Sequence, residues 1–145
     1  MEIRIRRGRR TDYAALNALC GWPAVGRNPA RSVRMFRRTV ADLAYDLYVA
    51  EENGTLVGVV AASYVRELRL GGQRATLEEL VVVSERRRAG VGRRLLDFVI
   101  ARARRRGART FEARPADEVA ARFLESTGFQ PSGARYARPL GEGPT

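Results

Sequence analysis

The chain has 145 residues, 45% hydrophobic and 30% charged, with 14 glycines and 6 prolines, enough for one domain with a substantial core and unlike a disordered or low-complexity chain. Its net charge is +11, and all 27 basic residues are arginines, so neither a lysine Schiff base nor a histidine base or metal ligand is available. One cysteine, Cys20, excludes an internal disulfide. No apolar run approaches the roughly 20 residues of a membrane span. The charged start Met1-Glu2-Ile3-Arg4 lacks the apolar region of a signal peptide, so the expected location is the cytoplasm, with no membrane contact. With one Cys, no His and scattered acids, no metal site is expected.

In chain order, Ile3 and Ile5 alternate with charged residues as a short first strand. Thr11 or Asp12 can cap a helix that buries Tyr13, Leu16 and Leu19. Gly21 to Pro29 reads as a loop, and a second helix from about Ala30 to Leu43 places Val33, Phe36, Val40 and Leu43 on one face. Asp46 to Glu52, Asn53-Gly54 and Thr55 to Val65 form a hairpin pattern, because Asn-Gly suits a type I′ turn. The return strand, apolar on both faces from Leu56 to Ala62, belongs in the middle of a sheet. Gly71-Gly72 turns the chain into a strand from Arg74 to Val83, where strict alternation would put Leu77 and Leu80 on opposite faces. A bulge near Glu78-Glu79 would put them on one.

A basic loop from Ser84 to Gly90 then leads into a helix from Val91 to Arg106, whose core face is Val91, Leu95, Phe98 or Val99, and Ala103. Thr110 to Ala113 is a fifth strand. Asp117 can cap a helix from Glu118 to Thr127 with Val119 and Phe123 inward, and Arg135 to Leu140 is a late strand. Pro139 to Thr145 reads as a loose tail. The order β-α-α-β-β-β-α-β-α-β implies a mixed α/β (α+β) sheet with helices on its faces, in a single domain from 1 to 145.

Charge is uneven along the chain: residues 1–40 carry +8, 41–85 carry −5, 86–109 carry +9 and 110–145 carry −1. An acidic block beside a basic one suits an anionic ligand held next to a cationic or proton-donating one. The chemistry of that ligand is suggested by Arg87-x-x-Gly90-x-Gly92, which follows a strand and opens a helix. Glycines admit close approach of an anion, and the first helical N–H groups point at it. Arg86, Arg87, Arg88, Arg93 and Arg94 supply charge around it. The third glycine of a dinucleotide fingerprint is missing, and a Walker loop would need a lysine.

The stretch Leu80 to Leu96 resembles the acetyl-CoA-binding motif of the GNAT N-acetyltransferases, whose Gln/Arg-x-x-Gly-x-Gly/Ala loop is met at Arg87, Gly90 and Gly92. Ala121 to Phe129, ending in Gly128-Phe129, resembles the family's second hallmark at its usual separation. The resemblance implies a GNAT fold, a central mixed sheet flanked by about four helices with strands four and five splayed. It implies that pantetheine inserts between those strands against the backbone of Leu80, Val81 and Val82. The pyrophosphate would lie on the amides from Arg88 through Ala89, Gly90, Val91 and Gly92 to Arg93, beside Arg87. Asp117 stands where many members carry a pantetheine-binding Asn; an ionised Asp can accept but not donate.

The implied reaction is acetyl transfer from acetyl-CoA to a primary amine of a small molecule or protein, by direct attack in a ternary complex. It needs a base, an oxyanion donor and a leaving thiolate. The donor would be a backbone N–H near Val82. Glu78, Glu79 and Glu112 are the carboxylate candidates for the base, Glu79 and Glu112 ranking first. Many members carry an acidic Tyr where Leu124 stands here, leaving Tyr136 or water to protonate the thiolate. Trp22, Phe36 and Tyr45 line the acceptor pocket or pack the core, and Cys20 reads as a small buried hydrophobe. Two other readings remain open: a non-catalytic acyl-CoA-binding module of the same fold, prompted by Leu124, and a basic nucleic-acid binder. Against the second stand an aromatic content of 8% and the lack of a recognisable nucleic-acid motif. Related enzymes are monomers or dimers, so a homodimer is compatible.

Overall fold

A strand that is apolar on both faces must be covered on both, and β3 organises the molecule in this way. The computed structural model describes residues 2–22, 29–133 and 136–141. The chain divides into two compact units, Met1–Arg114 and Pro115–Thr145. The first holds β1 (Arg4–Arg7), a 3-10 turn (Arg10–Asp12), α1 (Tyr13–Cys20), α2 (Pro29–Ala41), β2 (Asp46–Glu52), β3 (Thr55–Glu67), β4 (Gly72–Val82), α3 (Val91–Arg105) and β5 (Ala108–Glu112). Its sheet runs β1-β2-β3-β4-β5 in space, antiparallel throughout except for the parallel pair β4–β5. The second unit holds α4 (Glu118–Ser126).

Alternating β3 residues divide between two layers. Val59 and Ala61 join Leu47 and Val49 beneath Leu16 of α1 and Phe36 and Val40 of α2. Gly58, one residue out of phase, faces Val91 and Leu95 of α3, where an added Cβ would lie 2.9 Å from Leu95 Cδ1. Glycine here lets α3 sit close to the sheet. Of the alternatives Phe98 and Val99, Val99 joins Val91, Leu95, Leu96 and Ala103 as a buried residue of α3, while the Phe98 ring lies 4.8 Å from that of Tyr48. The Asn53-Gly54 turn has positive φ at both residues (53° and 79°), as a type I′ turn requires.

Three expectations change. Helix α2 ends at Ala41, so Leu43 lies beyond it and is exposed. In α4, Leu124 is buried and Val119 exposed, reversing the expected inward set at Val119. The late strand is not formed: residues 136–140 carry no ladder, and Arg135 lies outside the described residues. A strand needs a paired neighbour, and Pro139 offers no N–H to one. No helix among the described residues is long and apolar enough to cross a membrane.

Asp46, fully buried at the start of β2, ties β1, β3 and α3 together. Tyr64 donates its hydroxyl to Asp46 Oδ2 at 2.5 Å, with Arg102 at 3.1 Å, Arg106 at 3.0 Å and Arg7 at 3.8 Å. Burial alone would raise this carboxyl, but Tyr64 and the arginines outweigh it and hold it below the usual carboxylate range. A depressed folded value means that the stabilisation is present above about pH 4 and lost as pH falls through the folded value. Asp46→Asn is therefore expected to destabilise the fold by about 2–4 kcal/mol at neutral pH. It should also remove part of the acid-induced loss of stability, as measured by thermal melts from pH 7 down to pH 2.

Candidate active site

The site is built where β4 outruns its parallel neighbour. Pairing between β4 and β5 ends at Thr76 opposite Glu112, whereas β4 continues to Val82. From Leu77 onward β4 has β3 on one side and, among the described residues, no strand on the other. Val83 N–H donates to Val57 O at 2.9 Å, and Val81 lies opposite Val59. Backbone groups alternate along a strand, so those of Leu80 and Val82 turn to the open side. The Arg87 guanidinium reaches Val82 O at 3.5 Å. An extended chain with alternating donors and acceptors would add to this edge as a further strand does.

The bulge is present. Glu79 lies opposite Ala61 and Leu77 opposite Ala62, leaving Glu78 as the extra residue. Leu77 and Leu80 consequently share the α3 face. Glu79 and Val81 fall on the face covered by α1 and α2, where Val81 packs against the core. Glu79 is half-buried, and Trp22 Nε1 donates to its Oε1 at 2.8 Å. Glu78 is exposed and accepts from Ser63 Oγ at 3.2 Å. Burial and the nearby Glu79 charge push the Cys20 thiol up to about 12, so it stays protonated at neutral pH and behaves as a small apolar group. The Tyr45 hydroxyl is likewise raised, by burial first and then by Glu78 and Glu79.

Beyond Val82 the chain makes a 3-10 turn (Ser84–Arg86) and enters α3 through Gly90, whose φ of 83° favours glycine. Arg88 also has positive φ, 71°, a cost of roughly 1–2 kcal/mol for a residue with a Cβ. The first intrahelical bond runs from Arg94 N–H to Gly90 O. The N–H groups of Val91, Gly92 and Arg93 precede it and have no helical acceptor, which makes the turn a seat for an anion.

Not every nearby arginine faces that seat. Arg86 is held by Glu52, with Nε to Oε2 at 3.0 Å, and Arg94 donates to Ile3 O at 3.2 Å. Arg93 pairs loosely with Asp97 at 3.7 Å. Arg87 and Arg88 are exposed and make no ion pair among the described residues, so they are the charges left for a ligand.

The remaining candidates are placed differently. Glu112, with a side chain 61% exposed, lies 3.7 Å from Arg74 Nε. Asp117 caps α4, its Oδ1 accepting from Ala120 N–H at 2.8 Å. Tyr136 is 93% exposed and lies in no strand. Phe36 is a core residue, whereas Trp22 and Tyr45 are partly buried at the edge of the cluster that Phe36 helps to form. The Trp22–Glu79 and Ser63–Glu78 contacts had no sequence signal, since they join residues 57 and 15 positions apart. Among the described residues no group of three or more acids, cysteines or histidines could hold a metal ion.

A family model, the acetyltransferase (GNAT) family, matches residues 14–129. The chain belongs to the GNAT acetyltransferase family. Acetyl-CoA is the donor that this family uses. No curated protein matches the sequence. Solved structures match along almost the whole chain. A transcriptional regulator from Bacillus halodurans C-125 is 26% identical with a TM-score of 0.84, over 96% of this chain and 100% of that one. Glucosamine-6-phosphate N-acetyltransferase from Arabidopsis thaliana is 18% identical with a TM-score of 0.81, over 97% and 99%. A predicted acetyltransferase with acetyl-CoA, from Clostridium acetobutylicum, is 16% identical with a TM-score of 0.80, over 96% and 97%. The five-stranded sheet with four helices is thus the GNAT fold.

Two substitutions probe the anion seat. Gly92→Val places a branched side chain on the first turn of α3 and is expected to weaken acetyl-CoA binding at least tenfold in calorimetry while the protein remains folded. Arg87→Gln with Arg88→Gln is expected to weaken CoA more than dephospho-CoA, with a shallower salt dependence than the wild type.

Proposed function

We propose that the chain transfers the acetyl group of acetyl-CoA to a primary amine by direct attack within a ternary complex. The observation that carries this reading is the open edge of β4 running directly into the anion seat of α3. One end suits an extended amide-bearing arm and the other a pyrophosphate, as the donor's chemistry requires. The family match spans 14–129, across both units, which supports treating them as one catalytic domain.

The backbone of Leu80, Val81 and Val82 receives the pantetheine arm. The amides from Arg88 to Arg93 receive the pyrophosphate, with Arg87 and Arg88 adding charge. The outward N–H of Val82 or Leu80 is the donor to the thioester oxygen as it becomes an oxyanion. Glu79 is the base, directly or through a water, because it lies on the strand that bears this edge and keeps Oε2 free of any ion pair among the described residues. Glu112 is the weaker candidate, being exposed and beside Arg74.

The amine nitrogen attacks the carbonyl carbon, its proton passes to the base, and the carbon–sulfur bond breaks as the amide forms. Leu124 cannot donate a proton, and Tyr136 is exposed on an irregular segment. Water therefore protonates the departing thiolate. The acceptor is a small-molecule or protein amine.

Turnover of acetyl-CoA against a panel of amines, read as CoA release, tests the proposal. Glu79→Gln is expected to lower kcat by about 10²–10⁴-fold and Glu112→Gln by far less. Acetyl-CoA affinity should hold in both. Tight acetyl-CoA binding with no amine turnover across the panel would instead make the chain a binding module.

A further inference from the structure

We propose that Trp22 is a positioning residue for the transfer: its indole N–H holds the Glu79 carboxylate in the orientation from which it accepts the amine proton. The inference rests on Glu79 being the base. It begins with the path of the chain out of α1. Gly21, the C-cap, has φ 60° and donates its N–H to Asn17 O at 3.0 Å. That left-handed turn ends the helix and sends the next residue back toward the sheet.

Trp22 is then fixed by rings from two helices. Its ring centroid lies 6.3 Å from that of Tyr13 on α1 and 6.2 Å from that of Phe36 on α2, and these two stand 5.3 Å apart, edge to face. Phe36 is buried, so this trio is anchored in the core. A tryptophan held so firmly leaves its single donor little freedom. That donor meets Glu79 Oε1 at 2.8 Å.

The surroundings of Glu79 make this donor matter. Glu78 lies beside it on β4, Tyr45 approaches from the segment before β2, and Cys20 approaches from α1. None of these is cationic, and the thiol and phenol stay neutral at working pH. The other sheet carboxylates, Asp46, Glu51, Glu52, Glu67 and Glu112, each lie within ion-pair distance of an arginine. Glu78 and Glu79 have no such partner among the described residues. With no cation among the described residues to fix it, the carboxylate takes its orientation from hydrogen bonds. The indole supplies one to Oε1, and no ion pair among the described residues takes Oε2.

Trp22→Phe keeps a ring and removes the N–H. Replacing Trp22 with its benzothienyl isostere, which has sulfur in place of N–H, keeps the volume as well and guards against a folding defect. The readout is kcat and KM measured separately with the best amine of the panel, beside acetyl-CoA affinity by calorimetry. Both variants should lower kcat by about tenfold while the amine KM and the acetyl-CoA affinity hold within about twofold. In a Glu79→Gln background, removing the indole N–H should lower kcat no further.

An undiminished kcat in the isostere, or a loss carried in KM or in acetyl-CoA affinity instead of kcat, would overturn the positioning role while leaving Glu79 as base. An undiminished kcat in Glu79→Gln alone would overturn the base assignment, and this inference with it.

Discussion

One extra residue in β4 governs the arrangement of the site. Side chains of a strand alternate between faces, so an insertion exchanges the faces of everything on one side of it relative to the other. Without the bulge at Glu78, Leu77 and Leu80 could not both face α3, and Glu79 could not share the α1/α2 face with Val81 while Leu77 keeps its place opposite Ala62. The bulge falls just where β5 has ceased to pair. The strand is therefore free to bend at the point where its open edge begins. The bulge sets the face of the carboxylate, and the end of β5 at Glu112 leaves the edge of the same strand unpaired among the described residues.

Arginine is the only cation the chain has, and the fold divides it between structure and ligand. Arg6 is committed to Asp12 and Glu51, Arg86 to Glu52, and Arg7, Arg102 and Arg106 to Asp46. Planar guanidinium groups can serve two acceptors at once: Arg6 bonds Glu51 through Nε and Asp12 through both Nη atoms. What remains beside the helix N-terminus is a small subset, Arg87 and Arg88. Among the arginines around the loop, these two thus carry the charge that no ion pair among the described residues engages.

Much of this was legible in the sequence because it follows from local chemistry. The Asn-Gly hairpin, the two-faced β3 and the Gly-x-Gly entry to α3 each came from residues adjacent in the chain, and the bulge beside Glu78-Glu79 was one of the two arrangements that those residues allowed. The failures share another cause. Tyr136, Arg138 and Leu140 alternate as a strand would, but alternation does not supply a pairing partner. The choice of Leu124 rather than Val119 as the buried residue of α4 depends on tertiary packing, and the same dependence left Phe98 and Val99 of α3 as alternatives in the sequence. The same is true of Arg86 and Arg94: by position they belong to the loop, and only tertiary contacts with Glu52 and Ile3 draw them away.

The separation between the two ends of the site carries a consequence for how it can be tuned. From Glu79 to Val82, whose carbonyl Arg87 reaches, the chain advances three residues, about 10 Å at the rise of an extended strand. At physiological ionic strength the screening length is about 8 Å, and the arginines of the loop are exposed. Their field is therefore much weakened before it reaches the carboxylate. On the proposed function, charge at the loop acts on the donor's phosphates, whereas the surroundings of Glu79 are set by its neighbours Trp22, Glu78, Cys20 and Tyr45. Donor affinity and catalysis would then be adjustable separately along one strand.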